Sequence, residues 1–427
     1  MAARPPKRSK GRHRRSQRKK PQGTLQTVTI DRLGNAGDGM AGEVAVPFAL
    51  PGEAVEARVA GAQGVLERVI RPSSDRQEPV CPHFGPPRAC GGCQVQHVGL
   101  AASLEWKKRR LLAALHRVLD DVPEPTLFQS ALGTRRRGKF ALRHDGAKWQ
   151  AGFRALRSHD IVPITECAVL HPNVLSAAQG FCAAAAEMGL SPAPLDLFIT
   201  KSDTGLDMDV QGLDEMALTL DQREALASFA AGRDLARLSV DGVAVAAERT
   251  PQMVFGGTSV TLAPGGFLQA TPDGEAFMVA KVLEAAKGAR RIADLFSGMG
   301  TFSLPLTKGA TVLAVDSDGP AIEALAHAAP QGLEAMRRDL MVDPLTPGEL
   351  EGIDLVVFDP PRAGAAAQAK ELADAAVPTI VAVSCNPDTL ARDIGFFAGR
   401  YDMTALTLVD QFLFTPHIEG VAVFHRR

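Results

Sequence analysis

Residues 380–390 read "IVAVSCNPDTL", an apolar run that stops at Cys385 and turns at once through Asn-Pro. A thiol at the mouth of a buried strand can meet a ligand, and a thiolate is strongly nucleophilic once its pKa falls from about 8.5. Added to C6 of a uracil ring, it pushes electron density to C5, which can then accept an electrophilic carbon. C5 must afterwards lose its proton before the thiolate leaves, so a thiol nucleophile of this kind needs a general base. About thirty residues on, "FTPHIEG" offers His417 and Glu419. Glu419 is the better base, since a carboxylate can be held against an extruded nucleobase. His417 either orients it or packs. Taken alone, a strand-end cysteine is more commonly a small buried hydrophobe.

Two further strand ends carry chemistry. "DLFSGMGTF" places Gly298 and Gly300 where a backbone can turn sharply and approach a ligand, but Ser303 stands where a dinucleotide fingerprint has its third glycine. Asp316, about twenty residues further, ends the next strand and suits the ribose hydroxyls of a nucleoside-bearing cofactor. "FDPPRAG" sets Asp359 before two rigid prolines, resembling the D-P-P motif of S-adenosylmethionine-dependent methyltransferases. Enzymes that methylate exocyclic amines tend to follow this motif with an aromatic residue; Arg362 stands here instead and points away from N-methylation.

These strand ends require a scaffold. From Arg290 onward, apolar strands alternate with helical text ("RRIADLFSGMG", "ATVLAVDSD", "GIDLVVFDPPRAG", "TIVAVSC", "TALTLVD", "VAVFHRR"), which predicts a mostly parallel, doubly wound α/β sheet with ligands beyond its carboxyl edge. Residues 22–73 read as short strands joined by Gly and Pro turns, the pattern of a small OB-like β-barrel. Residues 74–255 predict a middle α+β domain, part of which, 94–125, can pack on the carboxyl-terminal domain of residues 256–427. Residues 1–21 form a tail: positions 4–20 hold ten Lys/Arg and no acid, leaving the remainder of the chain near −11 within a net charge of −1. Such a block stays solvated and suits nucleic-acid phosphates, as do Arg135–Arg137. No apolar run approaches the roughly 18 residues that span a bilayer, and the start has no apolar signal segment, so a soluble cytoplasmic protein is expected.

"FLQAT", "DLFSGMGTF", "FDPPR", "SCNPDTL" and "PHIE", in that order, resemble the motifs of the RNA 5-methyluridine methyltransferase family, the tRNA and 23S rRNA uracil-C5 enzymes. The resemblance covers nearly the whole chain, the first barrel being similar to the TRAM domain of many members. It implies Cys385 as nucleophile, Glu419 as base, and S-adenosylmethionine held by Gln269, Phe296, Thr301, Asp316, Asp339 and Asp359. The family often has Asn at Thr301 and Glu at Asp316; both replacements keep hydrogen-bonding ability.

Cys81, Cys90 and Cys93, spaced C-x8-C-x2-C, with Cys167 downstream, form a set that chemistry alone reads as zinc ahead of iron–sulfur. The resemblance reverses that order, because rRNA-modifying members carry a [4Fe-4S] cluster on a similar set. Cys182 reads as a packed core residue. The expected partner is RNA, rRNA rather than tRNA, bound by a monomer. A C5-cytosine enzyme and a non-catalytic RNA-binding factor of the same fold are the rival readings.

Overall fold

The computed structural model describes residues 23–86, 90–190 and 193–427, and the basic tail at 4–20 lies outside them. The chain divides into two compact units: residues up to 34 with 38–74, and residues 35–37 with 75–427.

In the first unit six short strands form one sheet, in the order Thr24–Thr29, Ala54–Ala60, Gln63–Arg71, Val44–Val46, Gly39–Ala41, Arg32–Leu33. The two edge strands are joined by Ile30 and Asp31 alone, so the sheet must curl until its edges meet, and Ile30, Val46, Ala49, Val55 and Ala57 fill the interior. Such curling hides the unpaired N–H and C=O groups that a flat edge would present.

The second unit holds two large sheets. The first has the order Ile161–Pro163, Trp149–Arg154, Arg137–His144, Leu195–Ser202, Gly205–Gln211, Leu235–Val240, Val243–Ala247. Helices Pro172–Ala185 and Leu220–Gly232 pack on it, the second opened by a Thr219/Gln222 capping box. All six residues of Leu235–Val240 are buried, and Arg237 within it is neutralised by two bonds to Asp207, 2.8 and 2.9 Å. Cys182 lies half-buried against this core, as its sequence context implies.

The other sheet has eight strands: Leu333–Arg337, Thr311–Asp316, Arg291–Leu295, Leu355–Phe358, Thr379–Ser384, Glu419–Arg426, Tyr401–Asp410, Thr126–Gln129. The first five run parallel, and their buried apolar text ("LVVF", "TIVAVS") reflects cover on both faces. Strand order reverses between 291–295 and 355–358, which opens a crevice at their carboxyl ends. Glu419–Arg426 is antiparallel to both of its neighbours.

Two boundaries differ from the sequence expectation. Thr126–Gln129, assigned to the middle domain, pairs with Thr407–Asp410, because Phe128 adds its ring to the core beneath that edge. The hairpin Gln252–Phe255/Thr258–Thr261 straddles the expected boundary at 255/256; Met253 and Phe255 pack with Met299, Leu304 and Leu325.

Helix Leu100–Leu115 leans on helix Pro387–Ile394 and buries Leu111 and Leu115 in the same core. Its Lys107, inside a stretch that reads as a basic face, is fully buried and bonded to Asp410 at 2.6 Å and to the Phe412 carbonyl at 3.0 Å. Asp410 also accepts from Gln129 Nε2 at 3.1 Å, so one carboxylate ties the helix to both outer strands. Removing one partner of a buried pair strands the other charge. Lys107→Ala is expected to lower the stability of this unit by about 3–5 kcal/mol in urea unfolding. A loss under about 1 kcal/mol would show that water reaches the pair.

Candidate active site

Cys385 follows the strand 379–384, and helix Pro387–Ile394 starts directly after it, capped by the Asn386 side chain with Pro387 in its first turn. The "CNP" text therefore ends a strand and begins a helix within three residues. Because 419–426 is antiparallel, its first residue lies at the carboxyl edge of 379–384. Ser384 pairs with Gly420 in the last rung, and Cys385 and Glu419 leave that rung side by side.

The surroundings are acidic. Burial, then the Glu419 and Asp359 carboxylates, push the Cys385 thiol up to about 11, while Arg362 opposes them. Asp359 is raised to about 7 by loss of water and by Asp294 and Asp316. Asp294, fully buried inside its strand, is also raised to about 7 by burial, with Asp316 adding to the effect, although Ser303 donates to it. Ser303, the residue that breaks the dinucleotide pattern, thus bonds one oxygen of a buried acid, Asp294 Oδ2. Burial holds Glu419 well above the ordinary carboxylate range, with Asp359 second.

The strand 291–295 ends in a tight loop whose geometry suits a ligand. Phe296 sits in the left-handed region at φ 65°, and Gly300, at φ 92°, leaves no room for a Cβ, which would stand 2.6 Å from Leu325 Cδ1. Asp316 accepts from the Gly298 and Asp318 amides, each at 2.8 Å, and retains lone pairs for further donors. Beside Gly298 a Cβ would meet nothing within 4 Å. Carboxylates of raised pKa around an open glycine turn fit a cationic, ribose-bearing cofactor. Thr301 stands in the same loop; Asp339, exposed, lies two residues beyond 333–337.

Gln269 lies just before helix Pro272–Ala285. It is buried next to Glu419 through an amide the sequence did not single out: Gln411 Nε2 donates to Gln269 Oε1 at 2.8 Å and to Glu419 Oε1 at 3.3 Å. Glu419 is therefore held by Gln411 and not by His417. His417 stands edge-on to Phe412, and burial together with Arg362, Lys107, Arg135 and Arg110 pushes it down to about 4, so it is neutral. Two polar residues closing an apolar strand, "VDQF", were the available signal for Asp410 and Gln411.

Arg135–Arg137 do not form the expected row of phosphate contacts. Arg136 is buried, paired with Glu275 and bonded to the Gln269 carbonyl at 3.0 Å, because its strand passes under the segment 268–275. Arg135 lies over the Phe412 ring and Arg137 over Phe267.

Cys81, Cys90, Cys93 and Cys167 line one cavity of about 260 Å³ with Phe84, Gln96 and Arg135 among its walls. Among the described residues, no three His, Cys, Asp or Glu side chains converge closely enough to hold a single metal ion. The loop bearing Cys90 and Cys93 is tied to the active-site loop: the Gln94 and Val95 amides both donate to the Phe414 carbonyl, at 2.8 and 3.0 Å. Among the described residues no helix is long and apolar enough to cross a membrane.

A family model described as tRNA (uracil-5-)-methyltransferase matches residues 349–427, the stretch that carries Asp359, Cys385 and Glu419. An RNA methyltransferase of Agrobacterium fabrum is 41% identical over 417 residues, covering 94% of this chain and 100% of the relative. The 23S rRNA (uracil(1939)-C(5))-methyltransferase RlmD of Pseudomonas fluorescens is 36% identical over 443 residues, covering 95% and 92%. This chain belongs to the RNA uracil-C5 methyltransferase family. A Pyrococcus abyssi tRNA (uracil-54, C5)-methyltransferase, solved with S-adenosyl-L-homocysteine, has the same fold at a TM-score of 0.74 and 24% identity, covering 93% of this chain and 99% of that one. The protein is thus an S-adenosylmethionine-dependent RNA uracil-C5 methyltransferase.

As a uracil-C5 methyltransferase without ligands, it should keep Cys385 as a thiol near neutral pH. Alkylation of Cys385 by iodoacetamide, followed by peptide mass spectrometry, is expected to rise roughly tenfold per pH unit through the alkaline range towards about 11. A plateau reached near neutral pH would mean that Arg362 outweighs the carboxylates.

Proposed function

We propose that this enzyme methylates C5 of one uridine in 23S rRNA through a covalent adduct between Cys385 and C6. The observation that carries the reading is the Ser384–Gly420 rung, which sets the thiol and the Glu419 carboxylate on the same edge. Bound S-adenosylmethionine supplies an electrophilic methyl on a positively charged sulfur, and that charge offsets the carboxylates around it. Phe296, Thr301, Asp316, Asp339 and Asp359 would hold the cofactor, Asp316 through the ribose hydroxyls, while Gln269, bonded through Gln411 beside Glu419, would face the base in place of the cofactor role the resemblance implies.

Arg362 is the cation that favours the Cys385 thiolate, which adds to C6 and leaves C5 as the carbon of an enolate. After C5 takes the methyl, Glu419 removes the C5 proton, the C5=C6 double bond re-forms and the C6–S bond breaks, releasing Cys385 as the thiolate. Burial favours the protonated form of Glu419 in the free protein, so its work as base requires ligand loading to favour the carboxylate. The RlmD relative supports rRNA; the family-model description and the archaeal fold neighbour carry tRNA in theirs. The curled six-stranded sheet fits a TRAM module that grips RNA, with the 4–20 tail adding phosphate contacts.

Four thiols spread around a 260 Å³ cavity suit a polynuclear [4Fe-4S] cluster better than one tetrahedral zinc ion, which needs its ligands at a single point. Cys81, Cys90, Cys93 and Cys167 would hold it, and its role is to order the loop that meets Phe414.

Incubating rRNA and tRNA pools with enzyme and methyl-labelled S-adenosylmethionine should yield labelled 5-methyluridine from the rRNA pool, and none with Cys385→Ala. Label confined to tRNA would overturn the substrate, and label from Cys385→Ala the nucleophile. Affinity for S-adenosylmethionine should tighten as pH rises through about 7, where Asp359 ionises, and change less for S-adenosylhomocysteine, whose sulfur carries no charge. Equal slopes for the two ligands in calorimetry would remove Asp359 from the cationic site. Anaerobically purified protein should contain iron and acid-labile sulfide that Cys93→Ser loses; zinc alone would replace the cluster reading.

A further inference from the structure

The Gln411 amide has its orientation dictated from one side. Its Oε1 accepts from the backbone amides of Ala270 at 2.9 Å and Thr271 at 3.3 Å, and a main-chain N–H can only donate. Its Nε2 end must therefore face the other way, towards Gln269 Oε1 and Glu419 Oε1. That polarity passes on. Gln269 must present its oxygen to Gln411, because two amide nitrogens cannot bond each other, and its own Nε2 is left as a donor with no partner among the described residues.

Gln269 lines a cavity of about 230 Å³ walled by Phe267, Phe198, Phe412, Arg137 and Lys139, the aromatic and cationic surroundings an extruded nucleotide requires. A uracil ring offers an acceptor at C4, whereas cytosine offers an amine. A site presenting fixed donors accepts the first and leaves the second facing donor against donor, and buried unpaired donors are costly.

Resting on the methyltransferase reading above, we propose that Gln411 is a positioning residue that sets the choice of uracil over cytosine by fixing the amide of Gln269. It is buried and reaches the site through Gln269 and Glu419. The selection is made through a chain of hydrogen bonds that begins at the main chain of Ala270 and Thr271.

Two variants test this. Gln411→Glu keeps an acceptor for both main-chain amides but replaces its donors with a second acceptor, so Gln269 should turn its Nε2 towards residue 411 and show its oxygen to the cavity. Gln411→Met removes donors and acceptor together at nearly constant volume. The measurements are the methylation rate and the binding affinity for the substrate RNA with uridine or cytidine at the target position. The preference for uridine in binding should fall about tenfold or more in Gln411→Glu and less in Gln411→Met, with thermal stability measured alongside. A loss shared equally by the uridine and cytidine RNAs, or an unchanged ratio in a folded Gln411→Glu, would reduce Gln411 to a structural role and overturn the proposal. If the unmodified enzyme methylates uridine in no RNA, the reading beneath it fails, and the proposal falls with it.

Discussion

Reversing one strand decides what this sheet can do. Five parallel strands end at a common carboxyl edge, and a sixth parallel strand would have carried its first residue to the opposite edge, a full strand length away. Glu419–Arg426 enters antiparallel between 379–384 and 401–410, so its first residue lies beside Cys385. Cys385 and Glu419 thereby come from the ends of adjacent strands in one hydrogen-bonded register. A one-residue slip of 419–426 would turn Glu419 away from Cys385 to the other face.

That register is held from outside the sheet. Lys107 and Asp410 form a buried pair at the base of the loop 411–418, with Arg110 bonded to the Pro416 carbonyl and the cysteine loop bonded to Phe414. Residues early in the chain thus support a loop near its end. The arrangement explains why the middle region and the carboxyl-terminal sheet form one compact unit.

The carboxyl-terminal sheet was legible in the sequence because strands covered on both faces are written as apolar runs, and strand ends are marked by a change of text. Cys385, Asp316 and Asp359 each stand at such a change. The short strands of the first unit were equally readable from their alternation and turn residues. Long-range pairing left no local trace. Thr126–Gln129 joins a strand some 280 positions later, and its four residues carry no sign of that partner. Arg136 read as surface charge because its acid, Glu275, is remote in the chain. Lys107 was hidden in the same way. Gln411 was missed for a different reason: an amide has no charge, and its role comes from which of its two ends the main chain occupies.

The account depends most on the covalent step at Cys385. Glu419→Gln removes the base but leaves the thiol, so the reaction should stop after methyl transfer with the C6–S bond intact. Denaturing mass spectrometry of Glu419→Gln after incubation with substrate RNA and S-adenosylmethionine is predicted to show an enzyme–RNA species, with a methylated uridine attached to Cys385. An enzyme–RNA species attached elsewhere, or normal release of 5-methyluridine by this variant, would contradict it.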